Sequence, residues 1–278
     1  MVLLNYGKYS IPKRLNGIID IQKQVNEQGL EKYGDMLGYY FSLEGINTRY
    51  LNTPLDVIAF ARPGVDGIHF GFLTDFGLVD DLHNAYIVRV TPMEFDEPVQ
   101  IVARNINDFI RLLCYYPSAV DMLHMNSTKV KIEQFLNNSP MIPKETILNN
   151  EEYQVQQVLL NALQLDPITD LEKYFYDIQQ ERLQETVIST FDGIGVTNKL
   201  STSTEVSHNL FHFEYIDQLA ILQVQDFFSH STYEAKLAFL RDAQSKGLLF
   251  DNSDVKHFLK EQLRFMQLLD EAERISFP

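Results

Sequence analysis

Along residues 1–104 the apolar positions come in short alternating or β-branched runs, separated by Gly, Pro, Asn and Asp. Ile18 to Tyr33 has helical spacing, and Leu37 to Leu43 either continues a helical layer or enters a strand. Leu55 to Phe60 predicts a strand, ended by the turn formers of Arg62-Pro63-Gly64-Val65-Asp66-Gly67. Ile68, Phe70 and Phe72 then alternate on one face of a second strand, Tyr86, Val88 and Val90 on a third, and Val99, Ile101 and Ala103 on a fourth. Pro92 and Pro98 close the last connection, so the four strands predict a meandering antiparallel sheet. Asn105 is placed to cap a helix running to Tyr116, with Asp108 three residues on and an apolar stripe of Phe109, Leu112, Leu113 and Tyr116.

Beyond residue 150 the chain is rich in Leu, Gln and Glu, with longer helical spacing. Helices are predicted over Glu151–Leu165, Asp170–Phe191, Glu205–Phe228, Tyr233–Lys246 and Asp254–Ile275, with a chain reversal at Asp192-Gly193-Ile194-Gly195. Pro140 and Pro143 interrupt any helix between the two regimes. The expected organisation is therefore α+β: a sheet domain with packed helices over 1–140, followed by an all-α domain over 141–278.

Composition narrows the function classes. With 45% apolar and 22% charged residues, the 278-residue chain has the makings of a packed core. Its 23 basic against 38 acidic side chains leave a net charge of −15, which repels phosphate backbones and anionic lipid and favours a basic protein partner. The excess is uneven, with 12 basic and 16 acidic residues over 1–140 but 11 and 22 over 141–278. Apolar runs are too short to span a bilayer and the first twelve residues lack an export pattern, so neither insertion nor secretion is expected. The lone cysteine, Cys114, fits a reducing compartment, and a cytoplasmic location is expected.

No catalytic constellation stands out, and no metal or cofactor is assigned. Gly64-Val65-Asp66-Gly67 lacks phosphate-loop spacing and reads as a structural turn. Acid and histidine recur three apart at Asp80/His83, Asp121/His124, Glu205/His208 and Asp254/His257. On a helix Glu205, His208 and His212 would share a face, which makes a metal-binding or hydrolytic site the alternative reading, although no general base sits between the histidines. Cys114 lies near the C-terminal end of its helix, where the dipole opposes a thiolate. His69 points away from the face that Ile68 and Phe70 bury, toward solvent or the helical half. Asp75, Asp80, Asp81, Asp96 and Glu97 cluster in the connections beside the third strand and form a candidate acidic contact surface, with Tyr86 or Phe95 as aromatic anchors.

The run Asp56 to Phe72 (DVIAFARPGVDGIHFGF) resembles the SUKH superfamily, the Syd and Knr-type group of cell-wall synthesis regulators and immunity proteins. Asn84 to Pro92 and Val99 to Leu113 (VQIVARNINDFIRLL) are similar to its later strand and strand-to-helix segments, so the resemblance covers roughly residues 15–125. It implies an α+β domain that binds proteins without catalysis, with bacterial members that neutralise a toxin. The positions it matches are scaffold: Gly64, Asp66 and Gly67 at the turn, Ile68 and Phe70 on the strand, and Ala103, Asn105, Asp108 and Phe109 at the strand-to-helix transition.

Overall fold

The computed structural model describes residues 1–30, 35–94, 98–116, 118–139, 151–198, 207–213, 218–250 and 252–277. After a short helix α1 (Val2–Tyr6) and the amphipathic α2 (Lys13–Glu27), five antiparallel strands follow as a simple meander: β1 (Tyr40–Phe41), β2 (Val57–Arg62), β3 (His69–Leu73), β4 (Ile87–Val90) and β5 (Val99–Ala103). All four strands expected from the alternation are present, and the undecided Leu37–Leu43 stretch supplies the short fifth at one edge. Its two residues are too few to hold register by themselves. Gln22 of α2 closes that edge, donating to the Phe41 carbonyl at 3.0 Å and accepting from its N–H at 2.8 Å.

Phe41, Phe60 and Phe70 meet Phe109 of α3 (Ile106–Tyr115), whose ring lies 5.2 Å from that of Phe70, and Phe72 packs on Phe60. The helix begins at Asn105, which accepts from the Asp108 N–H at 3.1 Å. Helices α4 (Ala119–Met122), α5 (Lys129–Asn138), α6 (Glu151–Leu163) and α7 (Leu171–Glu185) follow. The apolar stripes of α6 and α7, including Val155, Leu159, Phe175 and Ile178, belong to the same core as the sheet. The boundary expected at 140 falls at the margin of the described residues, and the apolar core continues on both sides of it. A second core begins near Ile188 and is completed by the later helices.

The second half is not wholly helical. The helix expected to reach Phe191 stops at Glu185, and β6 (Thr186–Ile188) and β7 (Val196–Thr197) form a hairpin around the Asp192–Gly195 reversal. The β-branched run Thr186-Val187-Ile188 explains the switch, because such side chains lose rotamers in a helix and pack well on a strand. Helices α8 (Ile221–His230), α9 (Tyr233–Ser245), α10 (Ser253–Phe265) and α11 (Leu269–Arg274) complete the chain. Gln267, with φ of 63°, breaks the predicted last helix into α10 and α11. Among the described residues, no helix is long and apolar enough to cross a membrane.

Candidate functional site

Two buried polar assemblies organise the molecule, and sequence reasoning found only parts of each. The first lies at the junction of the two cores. Leu55 and Phe76 come from the sheet half yet pack in the second core, and each is followed or preceded by an aspartate, Asp56 and Asp75. Asp75 takes both Nη atoms of Arg182 at 2.8 Å, while Arg182 Nε donates to the Ile194 carbonyl at 3.0 Å. Arg241 of α9 bridges Asp56 at 2.5 Å and Asp192 at 3.1 Å, with Asp75 at 3.7 Å and its guanidinium 5.1 Å above the Phe76 ring. Burial raises the Asp56 carboxyl pKa, Arg241 opposes that, and the like charges of Asp75 and Asp192 add to it. Asp75, Phe76 and Gly77 are all left-handed, at φ 47°, 52° and 83°, a strained turn that the paired guanidiniums hold in place.

Asp75 is therefore a correction to the expected acidic surface. It is buried and ion-paired, because a bend of left-handed residues turns it inward. Asp80 and Asp81 are exposed, and Asp81 accepts from the His83 N–H at 2.9 Å to cap a short turn of helix over Leu82–Asn84. Asp96, Glu97 and the candidate anchor Phe95 lie outside the described residues. Tyr86 is half-buried, with Arg182 6.0 Å from its ring, which makes it a poor anchor for a partner.

The second assembly surrounds His69. The ring is buried because the 49–54 turn roofs the sheet face on which it lies, with Thr53 and Tyr50 against it. Nδ1 lies 2.8 Å from the Gly67 carbonyl, which can only accept, so Nδ1 carries the proton. Nε2 then accepts from the Thr53 hydroxyl at 3.0 Å, and that oxygen in turn accepts from the Tyr50 N–H at 3.2 Å. Burial lowers the imidazole pKa to about 4, so the ring is neutral at pH 7. Arg49 is also buried and donates to the carbonyls of Val57 at 2.6 Å, Thr53 at 3.0 Å and Pro54 at 2.7 Å. Nearby, Glu44 pairs with Arg62, and hydrogen bonds from Ser42 and Thr48 help to hold its carboxyl below the usual range despite burial. Histidine, arginine and carboxylate do converge here, but the cleft between them encloses about 10 Å³, the room of roughly one water.

The alternative metal site loses its geometric basis. Residues 207–213 form no helix, His208 Nδ1 lies 2.8 Å from the Thr232 hydroxyl, His212 is exposed, and Glu205 is outside the described residues. Among the described residues no group of three His, Cys, Asp or Glu is arranged to hold a metal ion. Cys114 is buried, and burial pushes its thiol up to about 12. Open grooves among the described residues include one of about 670 Å³ beside Lys13, Arg14, Asp81 and His83 and one of about 490 Å³ between the starts of α5 and α7.

Arg182 and Arg241 were missed by sequence reasoning, yet one left a trace. Arg182 continues the apolar stripe of Leu171, Phe175 and Ile178 at alternating four- and three-residue spacing, and a charge on a core-facing stripe implies a buried partner. Comparison with family models and with curated proteins returned no match.

Proposed function

We propose that this chain is a non-catalytic protein-binding module of the SUKH type, serving toxin immunity or regulation, that meets a basic partner through its acidic exterior. One observation carries the reading: the ionisable clusters of the two buried assemblies are internal fasteners. His69, Cys114 and the Asp56, Asp75 and Asp192 carboxylates are buried, and the polar cleft beside His69 has no room for a substrate. The acids that do face solvent, Asp80 and Asp81 among them, belong to a chain of net charge −15, which suits electrostatic steering of a cationic partner.

Where the gene immediately upstream encodes a basic protein, association kinetics with that product test the proposal. Reversing both charges, Asp80→Lys with Asp81→Lys, should slow association about tenfold while leaving dissociation nearly unchanged. Absence of any complex, or an upstream product that serves as a substrate and is turned over, would refute it.

A further inference from the structure

At one end of the sheet three tight turns meet. Each is closed by a backbone hydrogen bond: Thr53 N–H to the Tyr50 carbonyl at 3.0 Å, Ile68 N–H to Val65 at 2.9 Å, and Glu94 N–H to Thr91 at 3.0 Å. Asn52 ties the first to the third by donating to the Pro92 carbonyl at 3.0 Å. Gly67 ties in the second. With φ of 71°, it comes so close that an added Cβ would stand 2.9 Å from the Tyr50 ring and 3.3 Å from Pro92.

These turns expose large apolar side chains: Tyr50 at 42%, Leu51 at 44%, Val65 at 55% and Met93 at 70%. The platform is held rigid from beneath. Tyr50 stacks on His69 with ring centroids 5.4 Å apart and planes 14° from parallel. Arg49 holds the carbonyls of Thr53 and Pro54, and Gln244 of α9 reaches across from the helical half to those of Leu51 at 3.2 Å and Thr53 at 2.5 Å. A partner would meet an aromatic ring whose ordering cost has already been met by folding.

Charge decides what fits. Asp66 and Glu94 are exposed on two of the same turns; of the cations near them, Arg62 is held by Glu44, Arg89 is buried against the Val120 carbonyl, and Lys131 lies within the field of Glu94. We infer that this three-turn tip is the recognition surface of the protein, and that its occupant is a basic protein surface with an apolar centre. The centre packs on Tyr50, Val65 and Met93 while flanking Lys or Arg side chains face Asp66 and Glu94. Methionine adapts to varied shapes and tyrosine supplies a stiff amphipathic anchor. The inference rests on the protein-binding reading but places the contact at the tip, leaving Asp80 and Asp81 to steer a basic protein's approach without touching it.

A random peptide library displayed on phage and selected against the full chain tests the tip directly. The expected ligands combine Lys or Arg with an apolar residue, and they lose about tenfold or more in affinity to Met93→Ser and Tyr50→Ala. Tyr50→Phe should retain binding, as should Asp80→Asn with Asp81→Asn. Met93→Ser alters only an exposed turn, so its loss of binding cannot be ascribed to unfolding, which thermal melts would verify. Ligands indifferent to Met93→Ser but lost on neutralising Asp80 and Asp81 would overturn the tip and leave protein recognition standing. Acidic ligands, or no selected ligand, would overturn the tip as well.

Discussion

His69 shows how a residue that invites a catalytic reading can be given a different task by its neighbours. The Gly67 carbonyl fixes its tautomer, Thr53 occupies its other nitrogen, and the Tyr50 ring covers its face. Because burial lowers its pKa to about 4 in the folded state, the unfolded chain binds more protons between about pH 6.5 and pH 4. Its contribution to stability is therefore complete above pH 6.5 and is lost as pH falls through that window, a change on the order of 3 kcal/mol. His124, lowered to about 4 first by burial and then by Lys131, acts with the same sign. An NMR titration of the His69 ring should show a midpoint near 4. A midpoint near the ordinary histidine value would mean that the ring is solvated and the platform above it loose.

At the scale of elements, the α+β meander was readable because β3, β4 and β5 carried apolar residues at alternate positions, turn formers followed β2, and Asn105 marked the start of α3 by its chemistry. What escaped was set by contacts distant in sequence. Nothing local says that Gln22 completes an edge strand, that Thr186–Ile188 would leave a helical run to pair with Val196–Thr197, or that Arg241 would reach Asp56 across 185 positions. The His208 and His212 pairing failed for the opposite reason: a local spacing argument assumed a helix that residues 207–213 do not form. Because Arg241 joins α9 to two buried aspartates, Arg241→Ala should cost about 3–5 kcal/mol in chemical denaturation by stranding Asp56 and Asp192. A loss below about 0.5 kcal/mol would show that water reaches the cluster and that it does not join the two cores.

Over the whole molecule, the two apolar cores are interlocked. α6 and α7 complete the sheet's core, Leu55 and Phe76 complete the later one, and Arg274 of α11 reaches back to the carbonyls of Asn5 and Leu55 at 2.6 Å and 2.9 Å. A fragment of residues 1–140 should accordingly fail to give a cooperative unfolding transition, whereas the full chain should unfold in one; independent melting of the fragment would contradict that interlocking. The helical half, through Gln244, supports the turns that the sheet half displays. On the protein-binding proposal, recognition falls to the negatively charged exterior, while His69, Cys114 and the buried carboxylates serve the scaffold. The most direct check is the association rate, as ionic strength rises, with a Lys- or Arg-bearing ligand selected by display on the full chain. A rate that falls steeply with salt in the wild type, and lies lower with a flatter slope after Asp66→Lys with Glu94→Lys, is the expected result. A rate indifferent to salt and to those substitutions would contradict recognition by charge.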